Sequence, residues 1–211
     1  DWINNWKEYF HQFYVDDILI VPSWEEVKEE EKDKMILHID PGTAFGTGMH
    51  ETTQLCIRQL KKYITPETRL LDVGTGSGIL SIVSLLYGIK EAVGTDLDPC
   101  AVDAVKENKE ANGIAPEKLK LIIGNIITEK EVQDEVGYDC YDIVVANILA
   151  DVLVPLTPVI LPHLKKGGIY ITSGIIDDKE ETVTAAVRAA GLEVLDVTYQ
   201  GEWVSVTARK N

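Results

Sequence analysis

Hydrophobic and polar positions follow a regular strand–helix order from residue 69 onward. Apolar, β-type segments recur at residues 69–73, 91–96, 118–123, 141–146 and 169–173. Helical periodicity appears between them at residues 79–87, 99–112, 150–164 and 179–190, with a weaker helical segment at 128–136. This alternation predicts a parallel sheet with helices on both faces. Pro155, Pro158 and Pro162 predict that the helix over 150–164 is broken or kinked.

The end of the chain has a different pattern. Residues 192–199 and 202–208 are both rich in β-forming side chains, and Gln200-Gly201 separates them. A short connection that contains glycine predicts an antiparallel hairpin. The whole pattern therefore predicts an α/β fold, with a doubly wound seven-stranded sheet that ends in an antiparallel hairpin.

Aromatic side chains are concentrated at the start of the chain. Trp2, Trp6, Tyr9 and Phe13 follow the 3.6-residue period and predict a helix with one aromatic stripe. We expect the stripe to pack on the core; a docking surface for another molecule is the alternative. A charged run over 25–34 predicts a solvated loop, and residues 34–40 predict a lead-in strand. These features predict an N-terminal unit of residues 1–40 and a main domain of residues 41–211.

Charge and composition exclude several function classes. The 211 residues carry 35 acidic and 20 basic side chains, a net charge of −15. This balance argues against direct nucleic-acid binding and favours a basic partner. No apolar run reaches the roughly 18 residues of a membrane span, and the first residues do not resemble a signal peptide. The oligomeric state is not predicted.

The three cysteines and four histidines do not predict a disulfide framework or a metal site. Cys56, Cys100 and Cys140 are widely spaced, a pattern typical of a reducing, cytoplasmic environment. Each is expected to be a packing residue.

A glycine-rich turn after the first strand of the alternation carries the strongest chemical signal. Asp72 stands two residues before Gly74, and Gly76 and Gly78 follow. Glycines let a ligand approach the backbone at a helix N-terminus. The dinucleotide fingerprint requires glycine at the position of Ile79. The form DxGxGxG instead resembles motif I of S-adenosylmethionine-dependent methyltransferases, in which the acidic residue faces the methionine amino group.

Polar residues also stand at the ends of the next three strands. Asp96 can accept hydrogen bonds from two ribose hydroxyls, whereas Asp98 is expected to cap the following helix. Asn125 is either an adenine contact or a structural turn residue. Asn147 stands where methyltransferases acting on nitrogen often have Asn or Asp followed by Pro-Pro-aromatic. That continuation is absent here, which counts against methylation of adenine bases or glutamine amides.

A second glycine-rich segment, DPGTAFGTGMHETT at residues 40–53, precedes a helix predicted to begin near Thr53. It lacks the lysine of a phosphate-binding loop. Small residues around Phe45 predict a lid over a ligand, with a plain connector as the alternative.

These motifs together resemble the ribosomal protein L11 methyltransferase family over nearly the whole chain. The resemblance rests on residues 40–53, DVGTGSG, Asp96 and the ANIL string that contains Asn147. It implies a class I methyltransferase fold with residues 41–211 as the catalytic domain, S-adenosyl-L-methionine as cofactor, and a cytoplasmic location. The implied reaction is methylation of lysine ε-amines or the N-terminal α-amine of basic ribosomal protein L11. Family members also carry an N-terminal domain that grips the substrate, which we expect this chain to lack.

The resemblance also implies residue roles. Thr53, Gly74, Asp96 and Asn147 would line the cofactor, and Asn147 would orient the incoming amine. Phe45 would cover the sulfonium through its ring face. Three alternatives stay open: a cofactor-binding module with little catalysis, a methyltransferase for another protein amine or a small molecule, and an NAD oxidoreductase, which Ile79 disfavours.

Overall fold

A computed structural model describes residues 10–42 and 48–211 of the protein. Its first part is a small three-stranded sheet of β1 (Phe13–Val15), β2 (Ile18–Pro22) and β3 (Met35–Ile39). β1 and β2 form an antiparallel hairpin, and β2 pairs with β3 in parallel. The predicted lead-in strand over 34–40 is confirmed as β3.

The predicted N-terminal helix lies mostly outside the described residues, because Trp2, Trp6 and Tyr9 precede residue 10. At its other end the prediction is wrong, since Phe13 belongs to strand β1. All five residues of β2 are buried, so a continuous apolar run, and not the 3.6-residue aromatic period, decides the local structure. Phe10 is buried, with its ring centroid 5.9 Å from that of Trp24.

The main sheet has seven strands: β4 (Arg69–Val73), β5 (Glu91–Asp96), β6 (Leu119–Ile123), β7 (Tyr141–Asn147), β8 (Leu164–Ile176), β9 (Glu193–Gln200) and β10 (Trp203–Arg209). Their order across the sheet is β6–β5–β4–β7–β8–β10–β9. The pairs from β6 to β8 are parallel, and β10 pairs antiparallel with both β8 and β9. The predicted seven-stranded sheet with its terminal hairpin is confirmed.

Helices cover both faces of this sheet: α1 (Met49–Tyr63), α2 (Ile79–Leu86), α3 (Ala101–Ala111), α4 (Lys130–Val136), α5 (Ala150–Ile160) and α6 (Glu180–Ala189). One core cluster joins α1, α2 and α3 to the small sheet, and the other joins α4, α5 and α6 to the opposite face. Pro155 and Pro158 lie inside α5 without interrupting it, whereas the helix ends at Ile160, before Pro162 and short of the predicted residue 164. Whether the prolines kink α5 remains a prediction. No helix in the two described ranges is long and apolar enough to cross a membrane.

The cysteines separate into buried and exposed positions. Cys56 is fully buried on α1, and burial raises the pKa of its thiol. Cys140 is half-buried against the core. Cys100 is exposed, so its predicted packing role is wrong: it directly precedes α3, in the loop that leaves the carboxyl edge of β5.

Candidate active site

Two adjoining cavities, of about 320 Å³ and 340 Å³, form a cleft at the carboxyl ends of β4, β5, β6 and β7. Both are lined by Gly74, Asp96, Leu97 and Ile148. From β4 the chain continues to β5 on one side, while β7 lies on the other side. Open α/β sheets bind their ligands at such a reversal of strand order. The predicted residues of the glycine turn and of the strand ends thus lie around one cleft.

The glycine turn after β4 uses its own amide groups. The backbone N–H groups of Gly74 and Thr75 both donate to the Thr95 carbonyl at 2.9 Å. The N–H of Gly76 donates to Asp96 Oδ2 at 2.8 Å. These three donors are therefore already occupied and are not available to a pyrophosphate. This arrangement agrees with a cofactor that lacks phosphate groups.

Asp72 is a buried carboxyl group in the wall of the first cavity. Its Oδ2 accepts hydrogen bonds from Thr75 Oγ1 and Ser81 Oγ, each at 2.8 Å. Burial raises the pKa of Asp72 to about 6, and the nearby Asp96 carboxylate acts in the same direction. A cationic group in the cavity would stabilise the ionised form, so this carboxyl suits a ligand ammonium group.

Asp96 and Asp98 divide the roles expected at the end of β5. Asp98 Oδ1 accepts the Cys100 N–H at 2.9 Å and so caps the segment that enters α3. Asp96 lines both cavities, and its Oδ1 accepts the Asp98 N–H at 2.9 Å. Because a carboxylate oxygen can accept more than one hydrogen bond, Asp96 can still bind a ligand. Its contact with ribose remains a prediction.

Asn147 ends β7 beside the glycine turn and lines the first cavity. Its Oδ1 is buried and has no hydrogen-bond partner within residues 10–42 and 48–211. A buried acceptor without a partner costs about 1–3 kcal/mol, which a ligand N–H at this position would recover. Asn147 Oδ1 is therefore free, within the described residues, to accept a hydrogen bond from a ligand, and its role in the reaction remains a prediction.

Two glycines permit the chain to pass close to Asn147. A Cβ atom at Gly74 would lie 2.7 Å from Ile148 Cγ2. A Cβ atom at Gly174, whose φ is +83°, would lie 2.6 Å from the Ile148 carbonyl oxygen and 3.1 Å from Asn147 Oδ1. Gly174 is not among the predicted site residues, although the Ser-Gly pair at the end of the predicted strand 169–173 is a signal for it in the sequence.

The remaining predicted residues have different positions. Asn125 lines the second cavity, and its Oδ1 accepts the Ile127 N–H at 2.9 Å, so this side chain also shapes the turn. Thr53 is buried in α1, and its Oγ1 has no partner in the part of the chain that the structure describes. Thr53 is not among the described residues that line either cavity. Phe45 lies outside the described residues, and its role remains a prediction.

The rim of the cleft combines exposed apolar and acidic side chains. Leu97 and Leu149 are each 68% exposed, and Leu149 follows directly after Asn147-Ile148. Asp40 and Asp98 are exposed in loops next to the cavity residues Pro41 and Leu97, and Asp151 is exposed in the first turn of α5 and lines the second cavity. This rim suits a partner with cationic and apolar groups.

Comparisons with known proteins agree with this geometry. A family model described as ribosomal protein L11 methyltransferase (PrmA) matches residues 1–211. A ribosomal protein L11 methyltransferase of Agathobacter rectalis is 56% identical over 213 residues, covering 100% of this chain and 66% of that protein. The chain thus spans slightly less than two thirds of this relative.

Two solved structures show two degrees of similarity, one that supports family membership and one that supports the fold alone. A ribosomal protein L11 methylase from Lactobacillus delbrueckii subsp. bulgaricus superposes with a TM-score of 0.83 at 31% identity, over 96% of this chain and 100% of that one. A precorrin-6y C5,15-methyltransferase from Geobacter metallireducens gives 0.64 at 14% identity, over 82% and 94% of the chains, which shows a common fold alone. From the family match and the first two relatives, we conclude that the chain belongs to the ribosomal protein L11 methyltransferase family.

Proposed function

We propose that the chain transfers a methyl group from S-adenosyl-L-methionine to amino groups of ribosomal protein L11, at lysine ε-amines, the N-terminal α-amine or both. The observation that carries this proposal is the buried Oδ1 of Asn147 in the wall of the cleft, which has no hydrogen-bond partner among the described residues. Family membership and the names of the relatives support the substrate. S-adenosyl-L-methionine, when bound, supplies an electrophilic methyl group on its sulfonium.

The residues of the cleft fit this cofactor. Asp96 offers carboxylate oxygens at the end of β5, where two ribose hydroxyls can donate to them. Asp72 offers a buried carboxyl for the methionine ammonium group, whose charge would lower the raised pKa of this residue. Gly74 has no side chain, and a Cβ atom at this position would collide with Ile148, which lines both cavities. Asn125 lines the second cavity, where we place the adenine.

Asn147 has the central role toward the substrate. An amine must be neutral to attack, whereas a lysine ε-amine has an ordinary pKa of about 10.4. With the cofactor's ammonium group against Asp72, the apolar side chains of Pro41, Met49 and Ile148 in the same cavity disfavour a second charged amine. Asn147 Oδ1 can accept an amine N–H and so direct the nitrogen lone pair toward the cleft. The released proton can leave through water.

The electrostatics of the chain favour a basic protein substrate. The net charge is −15, and the acidic residues Asp40, Asp98 and Asp151 surround the cleft. Opposite charges raise the rate of encounter and orient the partners. We also propose a cytoplasmic location, which the proposed ribosomal substrate supports and in which the free thiols of Cys56, Cys100 and Cys140 would stay reduced.

Mass spectrometry of the substrate tests the proposal. Purified ribosomal protein L11 is incubated at high concentration with the chain and S-adenosyl-L-methionine, and its peptides are searched for methylated amines. We expect methylation with the wild-type chain and a strong reduction with Asp96→Ala. Methylation of other amines with none on L11 would overturn the substrate assignment.

A binding experiment tests the cofactor separately. S-adenosylhomocysteine should bind in a calorimetric titration and raise the melting temperature, because it binds the native state. NAD should give neither effect. Heat with NAD and none with S-adenosylhomocysteine would contradict the cofactor and favour an oxidoreductase.

A further inference from the structure

Two asparagine side chains bind the edge of β3 that faces away from β2: Asn108 of α3 and Asn112, which directly follows the last residue of that helix. Asn112 Oδ1 accepts the His38 N–H at 2.8 Å, and Asn112 Nδ2 donates to the His38 carbonyl at 2.7 Å. Asn108 Oδ1 accepts the Asp40 N–H at 2.9 Å, and Asn108 Nδ2 donates to the Asp40 carbonyl at 3.0 Å. Residues four apart lie on one face of a helix, so the two amides bind alternate backbone positions as a neighbouring strand would.

Asn108 makes one contact that Asn112 does not. Its Nδ2 also donates to the Ser77 carbonyl at 2.8 Å, inside the glycine turn. Ser77 lines the first cavity, and so does Pro41, which directly follows Asp40. A single buried side chain therefore joins two walls of the cleft that belong to different parts of the chain.

We infer that Asn108 is a positioning residue, which fixes the separation of the Asp40–Pro41 wall from the glycine turn and thereby sets the affinity of the cleft for its cofactor. This inference rests on the proposed function, because it assigns the cleft to S-adenosyl-L-methionine. Asn108 uses both amide hydrogens and its carbonyl oxygen in these three bonds. A buried amide whose donors and acceptor are all hydrogen-bonded is held in one orientation. Asn108 therefore fixes the relative position of the segments that it binds, in addition to stabilising the fold.

The packing around α3 should keep the helix in place when Asn108 is replaced, so that only the hydrogen bonds of the amide are lost. Val105, one helical turn earlier, lies beside the turn at Gly78, where an added Cβ would be 3.4 Å from Val105 Cγ2. Val105 and Ile79 also belong to one buried core cluster, so apolar packing holds α3 against the turn. Removal of the Asn108 amide then leaves the Asp40 N–H and the Ser77 carbonyl without their partner, and the two walls are no longer joined.

Asn112 provides a matched control. Asn108→Ala and Asn112→Ala each remove an amide from the edge of β3, so both should lower the melting temperature. Only Asn108→Ala should weaken binding of S-adenosylhomocysteine in a calorimetric titration, by about fivefold to tenfold or more. Equal affinities for the two variants would overturn the inference. A wild-type chain that does not bind S-adenosylhomocysteine would instead contradict the proposed function itself.

Two further measurements cover the case in which Asn108→Ala does not fold. Asn108→Asp keeps the acceptor for the Asp40 N–H but removes both donors, so it should also weaken cofactor binding. In the wild-type chain, S-adenosylhomocysteine should slow hydrogen exchange at the Asp40 amide more than at the His38 amide. Equal protection of the two amides would overturn the inference without any substitution.

Discussion

Asp96 Oδ2 accepts a hydrogen bond from the backbone N–H of Gly76 at 2.8 Å, so the carboxylate that ends β5 is tied to the glycine turn that follows β4. The predicted ribose ligand therefore has a second role, because it also holds the turn that forms the floor of the cleft. Substitutions at Asp96 will act on both.

Asp96→Ala should lower the affinity for S-adenosylhomocysteine about tenfold or more, because it removes charge-assisted hydrogen bonds to ribose and the anchor of the turn. Asp96→Asn keeps one side-chain oxygen and should therefore reduce the affinity for S-adenosylhomocysteine by a smaller factor. Isothermal titration calorimetry gives both values. Asp98→Ala is the control. It removes a capping hydrogen bond that contributes about 1 kcal/mol to the free energy of unfolding, and we assign no cofactor contact to Asp98. Unchanged affinity in Asp96→Ala would show that our cofactor site is misplaced.

Asn147→Ala should reduce the single-turnover rate of methylation more than it reduces cofactor affinity. The change leaves Asp96 and the glycine turn in place but removes the acceptor that orients the amine, and misplaced nucleophiles can cost on the order of a hundredfold in rate. The rate is measured at high substrate concentration and compared with calorimetric binding. Equal losses would make Asn147 a cofactor ligand only, and no loss in either would move the reaction centre elsewhere.

Asp72→Asn should stabilise the folded chain near pH 7.5 while weakening cofactor binding. The folded-state pKa of Asp72, about 6, lies above the ordinary value of 3.8. The folded state therefore binds this proton more tightly than the unfolded state, and stability falls as the pH rises from about 4 through 6. Removing the buried charge should add on the order of 1–3 kcal/mol to the free energy of unfolding at pH 7.5.

Urea unfolding of wild type and Asp72→Asn between pH 7.5 and pH 4 checks this sign. The difference between the two proteins should shrink as the pH is lowered, because wild-type Asp72 then becomes protonated. A difference that grows toward low pH would mean that Asp72 is ionised and stabilising in the free protein.

Gly174→Ala should lower the methylation rate, because the added methyl group would press on the Ile148 carbonyl and on Asn147 Oδ1. Gly191→Ala is a matched control. Gly191 has nearly the same φ, +86° against +83°, and an added Cβ there meets no atom of the described structure within 4 Å. Both variants should lose about 1–2 kcal/mol of stability from the left-handed backbone, but only Gly174→Ala should lose rate. Equal rates would show that Gly174 does not support Asn147.

The sequence by itself determined the main sheet, the family and the outline of the cleft. Strands β4 and β5 match their predicted ranges residue for residue, because each contains a short apolar stretch and is followed by a glycine or proline turn, and both signals are local in the sequence. Asp72, Asp96 and Asn147 could be placed near one cleft because the carboxyl ends of parallel strands share one edge of the sheet.

Only the tertiary structure decided which residues support that cleft. The bond from Asn108 to Ser77 and the approach of Gly174 to Asn147 join positions far apart in the sequence, and no periodicity within one segment encodes them. The β1–β2 hairpin was missed for a related reason, since burial of β2 against the core outweighed the local aromatic period. Cys100 is exposed because of its place before α3, at the carboxyl edge of the sheet, and a residue count cannot reveal that position. Local patterns fix elements and strand ends, whereas contacts between remote segments depend on how those elements pack.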